Sequence, residues 1–138
     1  MIIDATDLLV GRMASFAAKQ ALLGEKIDII NCEKAVISGN THEILAKYKQ
    51  KQQRGIPSKG PFIHRMPDAF VKRIIRNMLP YKQDKGDKAL ERITCFIGIP
   101  EKFKDEKPQT VEKASSSKLP NINYTSIFNV CKELGAKI

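Results

Sequence analysis

Tryptophan is missing from this chain of 138 residues, aromatic residues make up 7% of it, and only two histidines and three cysteines are present. Cys32, Cys95 and Cys131 are odd in number, far apart and without C-x-x-C spacing, so neither a disulfide framework nor a zinc site is indicated. Buried thiols in a reducing compartment are expected. His42 and His64 belong to no H-E-x-x-H, and the chain holds no P-loop and no G-x-G-x-x-G. Asp84, Asp87 and Glu91 lie among lysines at helical spacing, the pattern of a solvated ion-pair surface rather than of an acid–base pair. A catalytic constellation is therefore not expected, nor a metal or other cofactor, nor a small-molecule substrate. No apolar run approaches the roughly 20 residues of a membrane span, and Met1-Ile2-Ile3-Asp4 is not the basic lead-in of an export signal. A soluble, unexported, cytoplasmic protein without a membrane partner is the expectation.

What the chain does have is positive charge, and it is local. Basic residues number 24 and acidic residues 15, for a net +9. Between Lys47 and Lys82 stand ten cations (Lys47, Lys49, Lys51, Arg54, Lys59, Arg65, Lys72, Arg73, Arg76 and Lys82) against one acid, Asp68, so the 14 of each sign left elsewhere cancel. A neutral body carrying one dense cationic stretch suits a phosphate-rich polymer, because each Lys or Arg set against a phosphate releases condensed counterions. A solvated face kept cationic for solubility is the plainer reading, but solubility requires no such segregation.

Within that stretch, Arg54 to Pro67 contains two glycines and three prolines, which excludes regular helix or central strand. The prolines stiffen it, and Ile56, Phe62, Ile63 and Met66 give it apolar groups to dock. The expectation is an ordered arm with cations, with Gly55 and Gly60 where backbone can approach phosphate, and with Phe62 and His64 able to stack on bases or to pack on the protein's own body.

The rest reads as one α/β domain over residues 1–138, of a size that buries about two-thirds of its unfolded surface. A short strand at Met1 to Asp4, a helix capped by Thr6 or Asp7 and running to about Leu23, and a strand at Lys26 to Asn31 imply a parallel pair with a right-handed crossover. Ala35 to Ile37 is a second short strand or the start of a loop. Asn40 with Glu43 resembles a capping box opening the next helix, and Ser38 to Thr41 is a turn that could hold a phosphate, although such turns begin many helices that bind nothing. From Pro67 to Pro80, Phe70, Val71, Ile74, Ile75, Met78 and Leu79 mark one buried helical face, which places Lys72, Arg73 and Arg76 together on the opposite side. A short polar helix at Asp84 to Glu91 and a strand at Arg92 to Gly98 follow. Residues 101–121 have little to bury and read as an extended, mobile surface excursion, before a closing helix over 125–134.

Several long stretches resemble one family in register: Val10-Gly11-Arg12-Met13-Ala14-Ser15, Ile29 to Asn40, Arg54 to Asp68, Ile75-Arg76-Asn77-Met78-Leu79-Pro80 and Gly98-Ile99-Pro100. They are similar to the universal large-subunit ribosomal protein thirteen (uL thirteen) family in its archaeal and eukaryotic form, over residue 1 to about 105. The resemblance implies a three-layer α/β/α domain with a small, mainly parallel central sheet and a basic loop-plus-helix excursion, seated on large-subunit ribosomal RNA and helping the subunit assemble. It implies neighbouring ribosomal proteins as further partners and no obligate homo-oligomer. The absence of a long C-terminal extension favours an archaeal source. Asn77 departs from the family's usual glycine in Arg-Gly-Met-Leu-Pro and adds bulk and an amide there. The RNA contacts expected are Arg12, Arg54, Lys59, His64, Arg65, Lys72, Arg73, Arg76 and Lys82, with Gly55 and Gly60 allowing close approach. An enzyme acting on RNA or nucleotides and a DNA-binding module are the alternatives.

Overall fold

A computed structural model describes residues 1–138. The chain runs β1 (Ile2–Asp4), α1 (Val10–Leu22), β2 (Ile27–Ile30), a 3-10 turn at Cys32–Lys34, β3 (Val36–Ser38), α2 (Thr41–Gln53), the arm and α3 (Pro67–Met78). It continues through α4 (Asp84–Glu91), β4 (Ile93–Cys95), 3-10 turns at Glu101–Phe103, Glu112–Ala114 and Ser116–Lys118, β5 (Tyr124–Ser126) and α5 (Ile127–Glu133). No helix is long and apolar enough to cross a membrane.

The fold is α/β, and its main sheet is parallel in the order β1-β2-β4, with Ile3 opposite Ile29 and Ile27 opposite Ile93. Alternation along these strands sends side chains to both faces. Ile3, Ile27, Ile29 and Ile93 enter the main core under the helices, while Ile2 and Ile30 join Phe96 and Phe103 on the outer face. That outer layer is thin: Phe103, from a 3-10 turn, meets Phe96 edge-on with ring centroids 5.6 Å apart. On the helix side α1 presents Met13, Ala14, Ala17 and Ala21, fully buried, and its small alanines let the buried Phe70, Val71 and Ile75 of α3 pack closely. A second, two-stranded antiparallel sheet joins β3 to β5, and the buried Thr125 donates its hydroxyl to Thr41 Oγ1 at 2.6 Å.

Three expectations change. Thr6 and Asp7 do not cap α1, which starts at Val10 after an uncapped Leu9. Thr6 instead donates its backbone N–H (3.0 Å) and its hydroxyl (2.7 Å) to Asp4 Oδ1, which also accepts from Asn31 Nδ2 at 3.0 Å. Residues 124–126 form a strand rather than the start of the last helix, because they find β3 as a partner far away in sequence. The segment 101–121 is exposed over most of its length but is bound down. Gln109 N–H donates to Ile2 O (2.8 Å) and Asp4 N–H to Gln109 O (3.1 Å), while Leu9 N–H donates to Ala114 O (2.7 Å) and Ser116 N–H to Asp7 O (2.9 Å). Its own Phe103 and Ala114 are buried against the body. The segment is a strap along the free edge of β1, with main-chain bonds where the sequence showed no apolar pattern.

Two outcomes follow from this architecture. Hydrogen exchange of the free protein should protect the amides of Leu9, Gln109 and Ser116 well above those of Lys104 to Lys107; equal, rapid exchange throughout 101–121 would show the strap to be detached. For Asp4, burial pushes the carboxyl up, but the hydrogen bonds from Asn31 and Thr6 and the nearby Lys34 ammonium outweigh it and hold the carboxyl below the usual Asp range. The unfolded chain therefore takes up this proton more readily than the folded one, so the contribution is complete above about pH 4 and is lost as pH falls further. Asp4→Ala should cost about 1–3 kcal/mol at neutral pH and flatten the acid limb of stability against pH in denaturant titrations.

Candidate nucleic-acid interface

The cationic segment is built from the second half of α2, the arm and α3, and its groups are held in place by apolar contacts rather than by acids. In α3, Phe70, Val71 and Ile75 are buried while Lys72 and Arg76 are half-buried and Arg73 is exposed, so the two faces of the helix divide as their spacing requires. Helix α2 buries no residue completely; it leans on the body through Ile44, Leu45 and Tyr48, the last with its ring centroid 5.1 Å from that of Phe70. Of the ten cations only Lys49 meets a carboxylate, with Nζ 2.6 Å from Glu133 Oε2, an exposed pair that adds little to stability. Lys49's hydrogen bond and charge hold the Glu133 carboxyl below its usual range. The other nine have no ion-pair partner, and Asp68, the segment's one acid, has its buried Oδ1 without a hydrogen-bond donor at the start of α3.

The arm is ordered by its own backbone. Ile56 and Gly60 bond each other in both directions (3.2 and 2.8 Å), which closes a turn over Pro57, Ser58 and Lys59 and sets Lys59 at its exposed tip. Gly60 takes a φ of +79°, and a Cβ there would come within 3.0 Å of the Phe62 ring. A Cβ on Gly55 would stand 2.8 Å from Pro61 O. Both glycines thus have an internal reason for being glycine, the closing of the arm on itself, where the sequence pattern suggested approach to phosphate. Phe62 is 73% exposed, so it does not pack into the body.

Between α2 and α3, with the arm as its end wall, lies an open groove of about 550 Å³ lined by Tyr48, Lys51, Phe62, His64, Arg73 and Asn77 among others. Arg73 and His64 come together there, and Lys51 and Asn77 join them, two residues not singled out as contacts from sequence. A smaller groove of about 360 Å³ shares Tyr48 and Ile74 with it and reaches Gly11 and Arg12 at the start of α1, so Arg12 lies along the same side of the molecule. Arg12 also donates from Nη1 to Lys113 O at 3.2 Å. Arg76 stacks on Tyr81, its guanidinium carbon 4.3 Å from the ring centroid, with Lys82 beside that ring. Arg65 is turned away, against Gly135 and Lys137 at the C-terminus. The Ser38 to Thr41 turn is closed by its own chain: Asn40 Oδ1 accepts from His42 N–H at 3.1 Å. No three His, Cys, Asp or Glu side chains come together as a metal group.

Burial, and next the charge of Asp68, pushes the Cys131 thiol up to about 12, so it is inert as a nucleophile near neutrality. The neighbouring Cys95 thiol, and next burial, push the Cys32 thiol up as well, and Cys32 Sγ donates to Ile29 O at 3.6 Å.

Gly55→Ala should open the arm without unfolding the body. The expected result is backbone chemical-shift change confined to about residues 52–66 with the thermal midpoint little altered; a global loss of structure would show the arm to be part of the core.

The profile of the family described as Ribosomal protein L13 matches residues 1–102. Over 136 residues the chain is 40% identical to the large ribosomal subunit protein uL13 of Methanopyrus kandleri, covering 97% of this chain and 86% of that one. It is 40% identical to the protein of the same name from Methanosarcina barkeri (99% and 98% covered) and 36% identical to that of Halobacterium salinarum (100% and 92%).

Proposed function

The chain belongs to the ribosomal protein L13 family, and from that premise we propose that it is a structural, non-enzymatic constituent of the large ribosomal subunit that binds the subunit's RNA and supports its assembly. The observation that carries the RNA reading is the segregation of charge: ten cations against one acid between Lys47 and Lys82, nine of them without a carboxylate, spread over α2, an ordered arm, the outer face of α3 and the residues just after it. Free guanidinium and ammonium groups on a rigid support lose little entropy when phosphates arrive, and each phosphate met releases counterions.

Arg54, Lys59, His64, Lys72, Arg73, Arg76 and Lys82 contact RNA, joined by Arg12 through the groove that adjoins the one holding His64 and Arg73, while Arg65 meets a separate strand or a neighbouring ribosomal protein beyond the C-terminus. The parallel-sheet body is the platform, and recognition runs through phosphates and RNA shape. Residence in the cytoplasm follows from residence on the ribosome.

Replacing Arg54, Arg65, Arg73 and Arg76 together by alanine should weaken binding to large-subunit RNA and flatten log K against log salt by roughly 0.7–0.9 for each phosphate that the protein no longer neutralises. An unchanged affinity and slope in a salt titration would remove these residues from the interface. Hydrolysis of RNA by the pure protein would favour an enzyme instead, and a preference for duplex DNA over structured RNA would favour a DNA-binding module.

A further inference from the structure

The groove between α2 and α3 has a composition that binding to a duplex backbone does not explain. It includes Phe62, a large apolar ring at 73% exposure, although the arm carrying it is closed by main-chain bonds. The ring is propped on Gly60 and open to the groove. A ring held still with its surface in water is costly to keep unless something stacks on it, and nucleobases stack on such platforms whatever their sequence. Lys51 on the α2 wall and Arg73 on the α3 wall flank the space, and no carboxylate lines it, so the occupant is anionic. Lys51 is steadied over the Tyr48 ring, with Nζ 5.1 Å from the centroid. Asn77 gives the lining its one side-chain amide, with donor and acceptor side by side, the pairing that matches the edge of a base. At about 550 Å³ the groove is of the size that takes one small organic group rather than a helix.

We infer that this groove receives a single unpaired nucleotide of the RNA, its base stacked on Phe62 and read at the edge by Asn77, its phosphates between Lys51 and Arg73. The inference rests on the RNA-binding reading above. A paired base cannot fill the groove, since both its faces are already stacked, so the nucleotide is one that the RNA extrudes from a bulge or loop. Asn77 then acts as the residue that distinguishes one base from another, a capacity glycine at that position would lack.

The test measures binding of the full chain to RNA hairpins of identical stem, one uninterrupted, one with a single bulged adenosine, one with a bulged uridine and one with an abasic bulge. The bulged-adenosine hairpin should bind about tenfold tighter than the uninterrupted one, the size of one stacked base, and the abasic bulge should lose that gain. Phe62→Ala should bring the ratio of bulged to uninterrupted affinity to about one, and Phe62→Tyr should restore it. Asn77→Gly should reduce the difference between bulged adenosine and bulged uridine while keeping the gain over the abasic bulge. Salt-dependent binding to all four hairpins with equal affinity, or a gain that survives Phe62→Ala, overturns the nucleotide groove and leaves the RNA reading standing. Absence of salt-dependent binding to any hairpin or to large-subunit RNA overturns both.

Discussion

Helix α3 has to meet two opposite environments within twelve residues, and the rest of the molecule is arranged around that demand. Phe70, Val71 and Ile75 are buried against α1 and the sheet, each contributing about 1.5–3 kcal/mol, and this apolar contact fixes the rotation of the helix about its axis. Once the rotation is fixed, Lys72, Arg73 and Arg76 have one direction to point. Their mutual repulsion is not relieved by acids, so the core supplies the holding force. Arg76 is steadied by stacking on Tyr81, and Lys51 over Tyr48, which orders both cations without a carboxylate.

The membership of the family and the shape of the site belong to different scales. Similarity over nearly the whole chain to archaeal large-subunit proteins identifies the family to which the chain belongs. Within the chain, the groove is where residues distant in sequence meet: Lys51 from α2, Phe62 and His64 from the arm, Arg73 and Asn77 from α3. Asn77, a departure from the pattern the sequence resembles, lies in that groove rather than at a neutral surface position.

Helices and strands with strong periodicity were legible from the residues alone. The stripe of α1, the β-branched run of β2, both faces of α3 and the short α4 stand where their residues indicate. Elements that depend on a distant partner were not. Tyr124 to Ser126 is a strand because β3 accepts it, and 101–121 is held by bonds from main chain to main chain that leave no mark in side-chain pattern. Glycine positions were legible, and packing adds reasons that the residues alone did not show: Gly55 and Gly60 serve closure of the arm, and buried Gly86 in α4 leaves room for the Pro80 carbonyl. The charge segregation was countable, whereas the outward turn of Arg65 toward the C-terminus and the presence of Lys51 in the groove required the packing of α2 on α3.

The strap has a further effect on how the polypeptide is made. β1 is bonded on one edge to β2 and on the other to Gln109, β2 awaits β4, and β3 awaits β5 near residue 125. A nascent chain emerging from its amino end therefore carries unpaired strand edges through most of its synthesis, and its topology closes only when the last third has been translated. The basic arm lies between these halves and emerges before the body that supports it is complete.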